Sequence, residues 1–282
     1  MTFRKKNILI LLISAIFITI IPLVYSYYEA RNIRLIKLTF THKDIPEGFV
    51  GKKIIFISDI HCDRYFTSED VAKLVNRINE REPDIIIIGG DIVSKNPRYL
   101  LPFFVEIKNL KSKSGTYFVL GNHDHWEDPV LISQQMTECG FHSCDNQSYW
   151  IKVGNDSIKI GGVGDFWEDV QIIGNTTDDV KIHDFCILIS HNPDYLEVLD
   201  SDHVDLMLSG HTHGGQITFF GLWAPIMPST GHPEYMQTGN KYRYGWLKKN
   251  NISLYVTSGI GMGGFPFRFF APPEIVEITL KK

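Results

Sequence analysis

The chain has 282 residues, of which 44% are hydrophobic, 12% aromatic and 21% charged. That balance excludes a disordered or collagen-like chain and supplies a core large enough for one large domain or two small ones. A formal net charge of −4 speaks against phosphate-backbone binding, and four cysteines with no repeating spacing and no CxxC pair exclude a disulfide framework.

Arg4, Lys5 and Lys6 precede an uncharged run from Asn7 to Tyr28, with the apolar stretch Ile8 to Val24 inside it and Tyr25, Tyr27 and Tyr28 at its end. The run matches the roughly 20 residues needed to cross a bilayer, and its tyrosines look like an interfacial belt. Residues 1–28 are therefore predicted to be a retained, single-pass transmembrane helix. A cleaved signal peptide, with Val24 and Ser26 before the cut, and a buried core helix are the competing readings. Basic residues flank the span on both sides, so charge does not set its orientation. Export of a short basic head favours a catalytic domain outside the cytoplasm, whereas four unpaired thiols favour the inside. Residues 29–51 read as a polar connector, with Leu35 to Phe40 suited to an edge strand, and residues 52–282 as the main domain.

Short apolar runs then recur at Ile54 to Ile57, Ile85 to Ile88, Tyr117 to Leu120, Ile187 to Ile189, Leu206 to Leu208 and Leu254 to Val256. Each delivers the chain into a polar or Gly-rich turn, as strands buried on both faces do. Between them, Thr67 and Asp70 form a helix start, Val71, Leu74, Val75 and Ile78 keep helical spacing, and Pro83 stops the pattern. Asp128 before Pro129 reads as a cap, with Gly140 ending that helix. Trp150 to Gly164 reads as a hairpin turning at Asn155-Asp156. The alternation predicts one α/β domain of layered sheets with helices outside.

Five of the strand ends carry the same chemistry: Ser58-Asp59-Ile60-His61, Gly89-Gly90-Asp91, Gly121-Asn122-His123-Asp124, His191-Asn192 and Gly210-His211-Thr212-His213. Residues at the carboxyl ends of strands converge on one rim. An extended D-x-H or H-x-H would point both side chains to one side, so that each pair grips one ion. Carboxylate, imidazole and amide oxygen suit Mn, Fe or Zn, and without a cysteine pair a closed structural zinc site is disfavoured.

The ordered series resembles the calcineurin-like metallophosphoesterases, whose pattern is D-x-H, G-D, G-N-H-[DE], H, G-H-x-H. The resemblance covers about Lys52 to Leu280. Gly210 to Ile217, the Gly-rich S-G-I-G-M-G-G and the later P-P-E-I are similar to the membrane-associated bacterial branch. That branch in turn resembles phosphodiesterases and UDP-diacylglucosamine-type pyrophosphatases acting on lipid-linked substrates. The resemblance implies a four-layered α/β/β/α sandwich and two divalent metal ions. It also implies that Asp59, His61 and His213 hold one ion, Asn122, His191 and His211 the other, and that Asp91 bridges them. Gly90-Asp91-Ile92-Val93 departs from the protein serine/threonine phosphatases, whose second motif continues to a further Asp and Arg.

Two cations neutralise a phosphoester's charge and acidify a water held between them. His123, left over by the ligand set, is the candidate for protonating the leaving group or stabilising phosphoryl oxygens. His125 and Arg268 are candidate substrate contacts. Cys62 reads as a small residue in a tight turn, or alternatively as an oxidation-sensitive thiol. Phe219, Phe220, Leu222, Trp223, Ile226 and Met227, and Phe265, Phe267, Phe269 and Phe270 around Arg268, are either core or a surface for acyl chains or the membrane interface. His42, His142, His183, His203 and His232 have no motif partner.

The expected function is a membrane-anchored, dinuclear metal-dependent phosphoester hydrolase, a phosphodiesterase or pyrophosphatase acting on a lipid-linked or nucleotide-like substrate through a bridging hydroxide. The alternatives are a non-catalytic metal-binding interaction module, marked by loss of ligands or of His123, and a phosphomonoesterase or nuclease. A nuclease would want a basic groove, and no nucleic-acid partner is expected.

Overall fold

The computed structural model describes residues 7, 10, 11, 14–94, 96–227 and 239–282. In it the four isoleucines Ile85–Ile88 form one strand, and their side chains divide by the period of two. Ile85 and Ile87 join a core between two sheets, whereas Ile86 and Ile88 join a core beneath helices. Ile54 and Phe56, against Ile55 and Ile57, divide in the same way. Strands buried on both faces follow directly from such uninterrupted apolar runs.

The first sheet orders β1 (Arg34–Thr41), β12 (Glu274–Lys281), β2 (Lys53–Ile57), β3 (Ile85–Ile88), β4 (Thr116–Phe118) and β5 (His142–Ser143). All neighbours are parallel except β12 and β2. The second orders β10 (Gly245–Lys249), β11 (Ile252–Val256), β9 (Leu206–Ser209), β8 (Cys186–Ile189), β7 (Asp156–Gly162) and β6 (Ser148–Val153). It is parallel in its centre and antiparallel at both outer pairs.

Helices α2 (Ser68–Asn79), α3 (Leu100–Ile107) and α5 (Pro129–Glu138) cover the outer face of the first sheet. Thr67 and Asp70 cap α2 reciprocally, and Asp128 accepts the Leu131 N–H at 3.0 Å, so both predicted helix starts are present. The outer layer on the second sheet is thin. The 3₁₀ turn Pro193–Glu197 packs Tyr195 and Leu196 against Leu188 and Met207. The 150–164 hairpin turns one residue earlier than expected: Val153 pairs with Asp156, and Gly154 takes the positive φ of +61° that the turn needs.

The segment expected as a connector, 29–51, is built into the domain. Arg34–Thr41 is a full edge strand in register with β12, and Ile45 and Phe49 are buried in the core between the sheets. The expected anchor falls partly outside the described residues, at 1–6, 8, 9, 12 and 13. Its described part includes a π-helical turn, Ile16–Ile20, running into α1 (Ile21–Glu29). Among the described residues no helix is long and apolar enough to cross a membrane.

Candidate metal centre

Asp59 and His61 follow β2, Asp91 follows β3, Asn122 and His123 open the six-residue helix α4 (Asn122–Glu127) after β4, His191 follows β8, and His211 and His213 follow β9. The seven expected ligands are between 0% and 6% exposed, so this much polarity lies below the surface. Five of them, Asp59, His61, Asp91, His211 and His213, have φ between +45° and +68°. Non-glycine residues in that region cost on the order of 1–3 kcal/mol each and concentrate at functional sites. Left-handed turns, and not the alternation of an extended chain, therefore aim these side chains inward.

Close backbone approach completes the geometry. A Cβ on Gly210 would lie 2.0 Å from Ser58 Oγ, and one on Gly121 would lie 2.3 Å from Asp91 Oδ1. With hydrogen in those places, the His211 N–H donates to Asp59 Oδ1 at 2.9 Å and the His123 N–H to Asp91 Oδ1 at 2.8 Å.

Two clusters result. Asp59, His61, Asp91 and His213 offer ligand atoms within 4.8 Å of one another, and Asp91, His191 and His211 do the same. Asn122 Oδ1 joins the second, 3.1 Å from His211 Nδ1. Asp91 Oδ2 lies 3.4 Å from His61 Nε2 and 3.3 Å from His191 Nε2, which places it in both clusters. His211 and His213, which the alternating spacing would put on one ion and the family resemblance on two, fall in different clusters.

The donor set fits metal ions on its own chemistry. His61 Nε2 faces His213 Nε2 at 3.1 Å, and His211 Nδ1 faces His191 Nε2 at 3.3 Å. His191 Nδ1 donates to the Gly89 carbonyl at 2.7 Å, which orients its Nε2 toward Asp91. Of two imidazole nitrogens face to face at most one can donate, whereas a cation satisfies both. Burial drives the His61 imidazole down to about 3 and holds His213 and His211 well below the usual histidine range, so all three rings are neutral and able to offer a lone pair. Burial opposes the charge on Asp91, but the His191 imidazole hydrogen-bonded to it holds its carboxyl well below the usual range, and Asp91 in turn holds His191 well above the usual histidine range against its burial.

His123 is half-buried beside the first cluster, its ring centroid 4.6 Å from that of His61 and 4.6 Å from that of Trp126. His125 lines a neighbouring cleft with Leu120, Pro129, Ser133 and Asp145.

Arg268, expected at a substrate phosphate, is instead fully buried. Its guanidinium donates to the carbonyls of Gly261, His213 and Ala271, at 3.0 Å from Nε to Gly261 and 3.3 and 3.0 Å from Nη1 to the other two. The arginine therefore braces the main chain carrying His213 and leaves nothing for a ligand. Cys62 is also fully buried, and burial pushes its thiol up to about 12, so it stays a protonated packing residue.

Two contributors escaped the sequence reading. Asp124 takes the N–H groups of Ile92 (2.9 Å), Val93 (3.3 Å) and Gly121 (2.9 Å), clamping the turn after β3 to the turn after β4. Its signal was the last position of G-N-H-D. Trp167 sets its ring edge-on to His211 at 4.4 Å, on a turn held by Asp165. No local motif announces that contact. His42 and His183 meet Asp44, at 3.8 and 3.5 Å, in a partly exposed ion-pair group with Asp205 and Lys43, outside the centre described above.

A carboxylate shared between two buried imidazole–carboxylate clusters is a means by which metal-dependent hydrolases, phosphoesterases among them, hold paired cations. Residues 52–215 match the family model of the calcineurin-like phosphoesterases, and the chain belongs to that family. It is 34% identical over 262 residues to an uncharacterized metallophosphoesterase of Bacillus subtilis (strain 168), YkuE, covering 90% of this chain and 88% of the relative. It is 28% identical over 232 residues to the phosphodiesterase YaeI of Escherichia coli (strain K12), covering 81% and 82%. A transmembrane protein with metallophosphoesterase domain from Danio rerio is 25% identical over 284 residues, covering 95% of this chain and 62% of its own length.

Proposed function

We propose that the protein is a phosphodiesterase or pyrophosphatase acting on a lipid-linked or nucleotide-like substrate, and that residues 1–28 anchor it in a membrane. The observation that carries the catalytic reading is Asp91 Oδ2, poised between His61 and His191. Asp59, His61 and His213 would hold one divalent ion, Asn122, His191 and His211 the other, and Asp91 would serve both, with Mn, Fe or Zn suited to the donors. When bound, the ions neutralise phosphate charge and acidify water. Asp91 also fixes the backbone of His123, whose ring delivers a proton to the leaving group or stabilises phosphoryl oxygens. Likeness to the phosphodiesterase YaeI supports diester over monoester chemistry. The exposed apolar side chains of Ile16, Phe17, Ile18, Ile20, Leu23 and Val24 support the anchor. A catalytic domain outside the cytoplasm is the orientation we favour.

The test is hydrolysis by Mn-loaded protein of matched aryl phosphodiesters and phosphomonoesters. A preference for the diester, abolished by chelation and restored by metal, is expected. Cleavage of the monoester alone would overturn the diesterase reading, and no cleavage by protein carrying both ions would favour a non-catalytic module.

A further inference from the structure

The segment after His213 breaks the rule that large apolar side chains are covered. Phe219, Phe220, Leu222, Trp223, Ile226 and Phe265 are between 54% and 79% exposed, and no charged residue lies in 217–227 or 259–267. Soluble surfaces rarely present so continuous a patch. Nor is the segment loosely held. The Phe219 N–H donates to the Trp223 carbonyl at 2.7 Å, the Gly221 N–H to Thr218 Oγ1 at 2.9 Å, and Arg243 Nη1 to the Gly214 carbonyl at 2.7 Å. Polar groups are satisfied behind while apolar ones point out.

Two further contacts locate the patch. On one side the Gln216 side chain clasps the 263–265 turn, accepting from the Gly263 N–H at 2.9 Å and donating to the Phe265 carbonyl at 3.1 Å. A Cβ on Gly263 would lie only 3.3 Å from His213 Nε2, so the patch borders the first metal-ligand cluster. On the other side an aromatic chain runs from Phe219 to Phe220 (4.8 Å), Phe270 (5.2 Å) and Tyr25 of α1 (5.4 Å). Tyr25 ends the apolar segment whose side chains, from Ile16 to Val24, are themselves exposed. The Arg268 N–H donating to the Ser26 carbonyl at 3.1 Å fixes that junction. The apolar loop and the apolar helix thus form one surface beside the metal centre.

We infer that this rim, led by Phe219, Leu222, Trp223 and Ile226, inserts into the bilayer interface and presents lipid head-group phosphoesters to the metal centre. A bilayer is favoured over a protein partner because the patch is continuous with the apolar helix, and Trp and Tyr at its margin suit the head-group level. The inference rests on the phosphoesterase reading above and names its substrate class: phosphodiesters or pyrophosphates carried at the head of an acyl-chain lipid, cleaved without leaving the membrane.

Trp223 is a built-in reporter. The full-length, Mn-loaded protein is reconstituted into phosphatidylcholine vesicles containing lipids brominated near the top of the acyl chains. Strong quenching of tryptophan emission is expected, with most of it lost in Trp223→Phe. Equal quenching in wild type and Trp223→Phe, or none in either, would overturn the rim. In parallel, Leu222→Asp and Ile226→Asp are compared on a soluble aryl phosphodiester and on a phosphodiester lipid in vesicles. The soluble reaction is expected to hold near wild type while lipid turnover falls by about tenfold or more. An equal loss on both substrates, no loss on either, or a change of oligomeric state in detergent without quenching would also overturn it. A wild type inert toward the soluble diester would sink the diesterase reading, while the quenching still decides the rim.

Discussion

Asp91 accepts the main-chain N–H of His123 at 2.8 Å through Oδ1, while its Oδ2 faces both histidine clusters. One side chain thus ties ion binding to the placement of the proposed acid. Asp91→Asn should lower the content of both ions and displace His123, costing more activity than any other ligand change. His61→Ala should preferentially empty one position. Elemental analysis of purified variants checks both, and active wild-type protein carrying at most one ion per chain would contradict the scheme.

His123 donates its backbone N–H to Asp91, and its ring belongs to neither ligand cluster among the described residues. His123→Ala should therefore keep metal content near wild type while kcat falls by about 10²–10⁴, the usual range for general acid catalysis. The loss should shrink for leaving groups of low pKa. A uniform loss across a leaving-group series would reject proton donation and leave phosphoryl stabilisation.

Arg268 braces three carbonyls from a fully buried position, and removing it strands those acceptors. Arg268→Met should destabilise the fold by about 3 kcal/mol, measured by urea unfolding, and should weaken metal retention through His213. A raised KM with unchanged unfolding would instead return Arg268 to substrate binding.

The α2 cap offers a pH test remote from the metals. Burial opposes ionisation of Asp70, but the Thr67 N–H and Lys73 hold its carboxyl below the usual range. A depressed folded pKa stabilises above the ordinary carboxylate value of about 4 and ceases to as pH falls through the folded value. Asp70→Asn should therefore be less stable than wild type at pH 7, with the gap closing in acid. Thr67→Ala should cost about 1 kcal/mol. A gap that is constant from pH 7 to pH 3 would show that Asp70 acts by shape alone.

The central strands were readable because isoleucine runs such as Ile85–Ile88 need cover on both faces and have few other places to go. β12 was not, since Glu274 and Glu277 make it look solvent-facing. In the fold, Glu274 is buried beneath the hydroxyls of Tyr244, Tyr255 and Thr257, at 2.8 to 3.0 Å, partners supplied by the other sheet or its flank. The same reason hid Arg268. An arginine flanked by phenylalanines looks like a ligand-binding charge until carbonyls from positions 213, 261 and 271 are brought around it. The ligand types were legible because they sit at strand ends. The turns that aim them depend on φ angles that residue types alone do not disclose.

The metal centre is also a seam. Asp59, His61 and Asp91 come from the first sheet, whereas His191, His211 and His213 come from the second, and 152 positions separate His61 from His213. During synthesis at 5–20 residues per second, roughly 8–30 s pass between the emergence of these two histidines. Throughout that interval the first sheet's half of the site is an acidic, imidazole-bearing edge that cannot enclose an ion. Metal loading is therefore a late event in the life of the chain, and an ion held between Asp59 and His213 closes a loop of more than half its length.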